Sequence, residues 1–198
     1  MQIPARSPLL MILIDVDGVA ADFCGCIDTY LQEAHGRPPL TWRHHDLERN
    51  LTDPVNSLPK SVVTDTMLYV KWGDACSDMK PYEGAVDAVH DAIASGFGVA
   101  FVTVGFKDSP CWQHDRIKWL RKHFDDRAEI LIVTSGVTKR LVAGAALIED
   151  NPNTLQAWAR KHPGRTFLVD QPYNQAGLFE GTRVGSLASA LRTCRASL

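Results

Sequence analysis

The segment Leu9–Val19, with the sequence LLMILIDVDGV, decides the fold. Its first six residues, Leu9–Ile14, are all apolar and predict a β-strand buried on both faces, as in the middle of a parallel sheet. Two carboxylates follow at Asp15 and Asp17, and Gly18 lets the backbone leave the strand at an angle that a Cβ atom would hinder. The segment therefore predicts a first strand that carries a pair of acids to the edge of a sheet.

Four further apolar runs predict the rest of that sheet. Helical patterns lie between them, and the apolar residues of the pattern at Ala85–Ile93 share one helix face. Strands that alternate with helices indicate a parallel sheet covered on both sides. We therefore predict an α/β fold with a three-layer, Rossmann-like parallel sheet. The four runs are Val99–Val104, Ile130–Thr134, Ala145–Ile148 and Thr166–Val169; a helical cluster at Ile117–Phe124 and a last helix at Val184–Arg192, closing the sheet edge, complete the prediction.

The stretch from Cys24 to Lys80 interrupts this alternation. It contains several prolines and polar runs, with helical patterns at Ile27–Glu33 and Val62–Lys71. Its position between the first strand and the next helix predicts a small, mostly helical cap inserted after strand one. The predicted cap is residues 24–80, and residues 1–23 and 81–198 form the predicted α/β core.

Composition and charge exclude several classes of function. The 198 residues are 45% hydrophobic and 22% charged, which is ordinary for a soluble globular protein. A net charge of −2 and a pI of about 6.4 offer no bulk attraction to nucleic acids or anionic membranes. The five scattered cysteines do not suggest a disulfide framework, which favours reduced thiols in a cytoplasmic protein. We expect no membrane association and no stable nucleic-acid partner, and we assign no catalytic histidine.

The other predicted strand ends also carry chemically active side chains. Thr103 closes the second strand with a hydroxyl, and Lys139 lies before the fourth strand, which ends in Glu149 and Asp150. The carboxyl ends of parallel strands meet at one edge of the sheet, so these groups are expected beside the first pair of acids. Carboxylates are the ligands that magnesium prefers. A nucleophile, a hydroxyl, a cation and an acidic pair at one edge predict a phosphoryl-transfer site.

The order of these motifs resembles that of the haloacid-dehalogenase-like phosphatases. Within that superfamily, Asp15–Phe23 (DVDGVAADF) is similar to the DMDGVLADF opening of the 5′(3′)-deoxyribonucleotidases, and Pro81–Val86 to their PLPGAV segment. The segments Thr138–Val142 and Leu147–Pro152 resemble their DKTVV and LLIDDxP motifs. Tyr173-Asn174 matches their late HN pair. The likeness runs from Leu9 to Asn174, with a poorly aligned cap.

The resemblance implies a catalytic pair and a magnesium site. Asp15 would attack the phosphate and form an aspartyl-phosphate, while Asp17 would protonate the leaving oxygen and then activate water. Mg²⁺ would be held by the Asp15 carboxylate, the Asp17 backbone carbonyl and one of Glu149 and Asp150, with Asp150 preferred.

The resemblance also implies how the substrate binds. Thr103 and Lys139 would hold the phosphoryl oxygens, and Phe23 and Trp72 would pack against a nucleobase, with core packing as the alternative for both aromatic residues. The implied substrate is a small nucleotide, a nucleoside monophosphate with a deoxy and pyrimidine preference. A homodimer is left open.

Two departures from the family pattern leave alternatives open. Val104 stands where the family usually has serine, and loss of one such donor can cost on the order of 10²–10³ in rate. Glu149 stands in place of the first aspartate of the acidic pair. The alternatives are a phosphatase for another small phosphomonoester or for a nucleic-acid phosphate end, and a fold-only binding module without turnover. A signalling receiver domain fits less well, because its phosphorylated aspartate lies on the third strand.

Overall fold

A single parallel sheet organises the molecule. The computed structural model describes residues 10–72, 74–106, 109–176 and 179–198. In the described ranges the sheet has six strands: β1 (Met11–Ile14), β2 (Gly98–Val104), β3 (Glu129–Val133), β4 (Ala146–Glu149), β5 (Arg165–Val169) and β6 (Thr182–Val184).

The strands lie in the order β3-β2-β1-β4-β5-β6, and every pairing is parallel. Leu13 of β1 is in register with Ala100 on one side and Leu147 on the other. The chain moves outward from β1 through β2 to β3 and then returns to β4 on the far side of β1. The topological switch point therefore lies between β1 and β4, where parallel sheets of this kind bind their ligands.

Nine helices surround the sheet in the described part of the chain. They are α1 (Phe23–His35), α2 (Leu47–Thr52), α3 (Lys60–Trp72), α4 (Ala75–Asp78), α5 (Ala85–Ala94), α6 (Trp112–His123), α7 (Gly136–Lys139), α8 (Pro152–Ala159) and α9 (Leu187–Ser197), with a short 3₁₀ turn at Pro172–Asn174.

Alternate side chains of the central strands point to opposite faces of the sheet, which produces two apolar layers. Ile12 and Ile14 join a cluster that includes residues of α5, α6 and α9. Leu13 points the other way and packs with Leu155 and Trp158 of α8. The three-layer α/β architecture predicted from the sequence is confirmed.

The helices between β1 and β2 build an apolar cluster of their own. Its buried members include Ile27 and Leu31 of α1, Leu51 of α2 and Val70 of α3. Helix α1 begins at Phe23 after the N-cap Asp22, earlier than the sequence pattern suggested. The helical content predicted for this stretch is present, and the division at residues 23/24 and 80/81 stays a prediction.

The edges of the sheet differ from the prediction. Strand β6 was not predicted, and Val184, assigned to the last helix, ends this strand. The prediction that the last helix closes the sheet edge is wrong: β6 occupies the edge, and α9 starts at Leu187 and packs against α5. At the amino-terminal end, Leu9 of the predicted first strand lies outside the described residues.

Of the helices in the described ranges, none has the length and apolarity needed to cross a membrane.

Candidate active site

The loop after β1 brings both acids to the carboxyl edge of the sheet. Asp15 follows the strand directly and is 8% exposed, and its Oδ1 accepts a hydrogen bond of 2.7 Å from the Val16 N–H. The chain then turns sharply, with the Gly18 N–H donating to the Ala21 carbonyl at 3.0 Å. Gly18 has a φ of 74°, a left-handed conformation that favours glycine. Asp17, inside this turn, has a side chain that is 37% exposed.

Lys139, the last residue of α7, lies between two buried carboxylates. Its Nζ is 2.6 Å from Asp15 Oδ1 and 2.6 Å from Glu149 Oε2, and the lysine is only 3% exposed. Burial lowers the pKa of Lys139, but the charges of the two carboxylates outweigh burial and raise the pKa above its ordinary value. Burial, followed by the charge of Glu149, raises the pKa of Asp15 to about 7 against the opposing effect of Lys139. The site therefore pairs a stably charged cation with a poorly solvated carboxylate.

The acidic pair at the end of β4 is held by the segment that follows β5. Glu149 and Asp150 are 1% and 2% exposed. The Tyr173 hydroxyl donates to Asp150 Oδ2, and Asn174 Nδ2 donates to the Asp150 carbonyl at 2.8 Å. From the same segment, Gln171 donates to the Gly18 carbonyl at 2.6 Å. One short turn thus fixes both the acidic pair and the loop after β1.

The end of β2 contributes Thr103 and Val104 to the site. Thr103 is 1% exposed, and Val104 is 38% exposed. Both line the same cavity as the acids and Lys139. The structure thus brings together Asp15, Asp17, Thr103, Lys139, Glu149 and Asp150, as the strand ends predicted.

The cavity above these groups has a volume of about 550 Å³. One side is the polar edge of the sheet, and the other is formed by apolar and aromatic side chains of the inserted helices and of α6. A pocket of this size with few convergent polar groups fits a small organic ligand. The aromatic residues in its lining are Phe23, Trp42, Phe106, Trp112 and Tyr173.

The two predicted aromatic contacts have different positions. Phe23 lines the cavity. Trp72 is 52% exposed, carries the ammonium of Lys71 over its ring at 5.2 Å, and is not among the cavity-lining residues. Trp42 lines the cavity and meets the Phe23 ring edge-on at a centroid distance of 6.3 Å. Its indole N–H donates to Asp28 at 3.1 Å, which fixes the ring.

Arg116, a residue of α6, reaches the site although it is not among the residues predicted from the sequence. Arg116 is 1% exposed, and its Nη2 donates to Asp17 Oδ1 at 2.7 Å. Trp112 and Trp119, four residues before it and three residues after it, are also buried. A charged residue at helical spacing between two tryptophans is the signal that could have revealed it.

His45 is a second site residue that was not predicted from the sequence. It lies between α1 and α2, and its Nε2 is 3.4 Å from Asp150 Oδ1. Burial lowers the pKa of His45, but the Asp150 carboxylate more than offsets this effect, and the pKa is raised to about 9. The segment between α1 and α2 therefore places an imidazole beside the acidic pair.

The donor set at this edge fits a divalent cation. Within the described ranges, buried Asp150 Oδ1 accepts no hydrogen bond and has only the long, 3.4 Å contact with His45 Nε2. Ligand atoms of His45, Glu149 and Asp150 lie within 4.8 Å of one another. Hard cations such as Mg²⁺ take carboxylate and carbonyl oxygens, which Asp15, Asp17 and Asp150 offer here.

A family model and a curated protein that resemble this chain carry similar descriptions. A family model described as "5' nucleotidase, deoxy (Pyrimidine), cytosolic type C protein" matches residues 9–193. A protein of Bordetella pertussis (strain Tohama I) named "Putative 5'(3')-deoxyribonucleotidase" is 25% identical over 171 residues, covering 84% of this chain and 86% of that protein.

Solved structures share the fold. A haloacid dehalogenase (HAD) family hydrolase from Deinococcus radiodurans R1, solved with bound phosphate and sodium, has a TM-score of 0.61 at 15% identity and covers 96% of each chain. The D,D-heptose 1.7-bisphosphate phosphatase from B. bronchiseptica, complexed with magnesium and phosphate, has a TM-score of 0.56 at 15% identity. It covers 96% of this chain and 100% of that one. At 15% identity, the similarity to these two structures shows a shared fold and nothing finer.

A methyl group at Gly18 should disturb the acidic pair. A Cβ atom there would meet the Asp150 carboxylate and the Tyr173 hydroxyl, in a backbone conformation that L-residues rarely adopt. We expect Gly18→Ala to weaken Mg²⁺ binding, measured by titration calorimetry, by about 10–100-fold, as for other disturbed supports of metal ligands. Gly36→Ala is the matched control, since Gly36 also has positive φ but open space around it. Equal Mg²⁺ affinity in both variants would contradict the arrangement.

Removing Lys139 should destabilise the protein. Lys139→Met leaves two buried carboxylates without their cation, a change that typically costs about 3–5 kcal/mol. The loss should be larger at about pH 8 than at about pH 5.5. At the lower pH the Asp15 carboxyl, whose pKa is raised to about 7, is mostly protonated in the wild type and gains little from Lys139, whereas at the higher pH it is ionised and depends on that cation. Urea unfolding in chelator measures the effect. The control is Lys118→Met, at an exposed position of α6, and a Lys139→Met variant as stable as this control at both pH values would refute the ion-pair account.

Proposed function

Because the chain belongs to the family of the 5′ nucleotidase, deoxy (pyrimidine), cytosolic type C protein, with a HAD-like fold, we propose that it hydrolyses deoxyribonucleoside monophosphates. It is a phosphoric monoester hydrolase of the 5′-nucleotidase kind. The observation that carries the finer proposal is the single cavity in which an acid pair, a buried lysine and a threonine face an aromatic wall.

The first step uses both aspartates of the loop after β1. A carboxylate oxygen of Asp15 forms a bond to phosphorus while the bond from phosphorus to the nucleoside oxygen breaks. The Asp17 carboxyl gives its proton to the departing oxygen. The products of this step are the free nucleoside and an aspartyl-phosphate on Asp15.

The second step restores the enzyme. The Asp17 carboxylate takes a proton from water as the water oxygen attacks the phosphorus, and the bond between phosphorus and Asp15 breaks. Inorganic phosphate leaves, and both side chains return to their starting protonation states. Lys139, already 2.6 Å from Asp15, is placed to offset the charge of the phosphoryl group in both steps.

Asp150 is the proposed metal ligand of the acidic pair. Glu149 already has partners for both oxygens: Oε1 accepts from the N–H groups of Asp150 and Asn151, each at 3.2 Å, and Oε2 lies against Lys139. Among the described residues, Asp150 Oδ1 accepts no hydrogen bond, and its ion-pair contact with His45 Nε2, at 3.4 Å, is longer than the 2.6 Å contact of Lys139 with Glu149 Oε2. Mg²⁺ at this position, together with the Asp15 carboxylate and the Asp17 carbonyl, would supply charge neutralisation for an anionic ester.

The aromatic wall is the proposed nucleoside site. Phe23 and Trp42 both line the same cavity as the acids, and stacking on an aromatic ring is worth about 1–3 kcal/mol per base in other proteins. Val104 has no side-chain hydroxyl to offer the phosphoryl group. We propose Thr103 as the side-chain hydroxyl that binds the phosphoryl group.

A phosphate-release screen tests the substrate. We expect turnover of deoxyribonucleoside 5′- or 3′-monophosphates with Mg²⁺, and none in excess chelator. Asp15→Asn is the blank, because an amide is a poor nucleophile, and Asp87→Asn, at an exposed position of α5, is the matched control that should keep full activity. Release from sugar phosphates alone would show a different phosphomonoesterase. No release from any ester would favour a binding module without turnover.

Substitution of Asp15 and substitution of Asp17 should have different kinetic effects. With an activated aryl phosphate, Asp17→Asn should release one burst of aryl alcohol and then stall, because attack needs little help from an acid while water still needs a base. Turnover of a nucleotide should fall by about 10²–10⁴-fold in this variant. Stopped-flow absorbance records the burst. A burst in Asp15→Asn, and none in Asp17→Asn, would reverse the proposed roles.

A further inference from the structure

Arg116 is a buried cation outside the predicted set of site residues. Its guanidinium lies over the Trp112 ring at 4.8 Å and 5.9 Å from the Trp119 ring centre. Within the described ranges, its Nε and Nη1 have no hydrogen-bond partner. Among the residues that the structure describes, its one ion pair is to Asp17, at 2.7 Å. The two indoles therefore hold the planar group in place, and its remaining donor end is directed at the proposed acid.

The position of this cation is also fixed from the side of the inserted helices. The Trp119 indole N–H donates to the Met79 carbonyl at 2.8 Å, just before the chain returns to the core. Helix α4 packs against α6 in the same region. Arg116 thus lies among contacts that join α6 to the end of the inserted segment.

Folding alone does not explain an arginine here. Replacing a buried ion pair with apolar residues of similar volume is often neutral or stabilising in other proteins. The partner, Asp17, has a side chain that is 37% exposed, so that water could solvate its charge without Arg116. The contact between Arg116 and Asp17 therefore fits a role in the chemistry of Asp17 better than a role in the stability of the fold.

We propose that Arg116 is a positioning residue for the acid–base step: it holds Oδ1 of Asp17 so that the carboxyl group keeps one orientation and proton transfer falls to Oδ2. The proposal rests on the acid–base role of Asp17 given above. Among the described residues, Oδ2 accepts no hydrogen bond from the protein, whereas Oδ1 is bound by Arg116. A planar, always charged guanidinium suits this task better than a flexible ammonium.

The kinetic consequence follows from geometry. A reacting group that is displaced by about 1 Å can lose on the order of 10² in rate. Arg116→Met should therefore lower kcat for a nucleoside monophosphate by about 10–100-fold while KM changes by less than about threefold, because Thr103 and Lys139 still bind the phosphoryl group. Arg116→Lys should recover part of kcat. Lys118→Met, at an exposed position of the same helix, should behave as wild type.

A double-mutant cycle separates positioning from a structural role. In the Asp17→Asn background, Arg116→Met should cause no further loss of kcat, because the group that it orients is already absent. The affinity for inorganic phosphate and the thermal midpoint, measured on the same samples, should stay close to those of the parent. If Arg116→Met does not fold, Arg116→Lys replaces it in the cycle.

The outcomes are distinct. Additive losses of kcat in the double variant, or a KM rise with unchanged kcat, would overturn the positioning role. Equal losses for a nucleotide and an activated aryl phosphate in the first step would also overturn it. If instead Asp17→Asn alone keeps wild-type turnover, the proposed role of Asp17 fails, and that failure is read from the single variant before Arg116 is altered.

Discussion

The ion pairs of buried Lys139 with Asp15 and Glu149 are the interaction on which the rest of the structure depends. Three charges from β1, α7 and β4 meet within 2.6 Å contacts at the switch point of the sheet. Isolated ions are costly to bury, so the contacts of Lys139 with both acids offset the cost of burying these groups together. The sheet order that brings the strand ends together is therefore also what builds the reactive site. Substitutions at this point should alter folding and chemistry together.

Most of the sheet could be predicted because its central strands are buried on both faces and leave continuous apolar runs in the sequence. The edge strand β6 leaves no such signal: of its three residues, Thr182 and Arg183 are polar, and only Val184 is buried. A single apolar residue directly before a helical pattern is easily assigned to that helix. Tertiary pairing with β5, rather than local preference, makes this segment a strand.

Some residues of the site could likewise be predicted from the sequence, and others could not. Groups at strand ends, such as Thr103 and Asp150, could be placed together from the sequence because parallel strands share a carboxyl edge. Arg116 and His45 reach the cavity from a helix and from the inserted segment, and the approach of those elements depends on packing that no local pattern encodes. The same reason separates Trp72 from Trp42: sequence position favoured Trp72, whereas the packing of the segment between α1 and α2 brings Trp42 into the cavity.

The central claim is that Asp15 carries the phosphoryl group between the two steps. It is tested most directly by quenching the enzyme during turnover, reducing it with borohydride and sequencing its peptides by mass spectrometry. An aspartyl-phosphate is reduced to homoserine, whereas a free aspartate is not. The account predicts homoserine at position 15 in the wild type and a larger fraction in Asp17→Asn, whose second step is slow. Homoserine at another position, or none in Asp17→Asn after its burst, would contradict it.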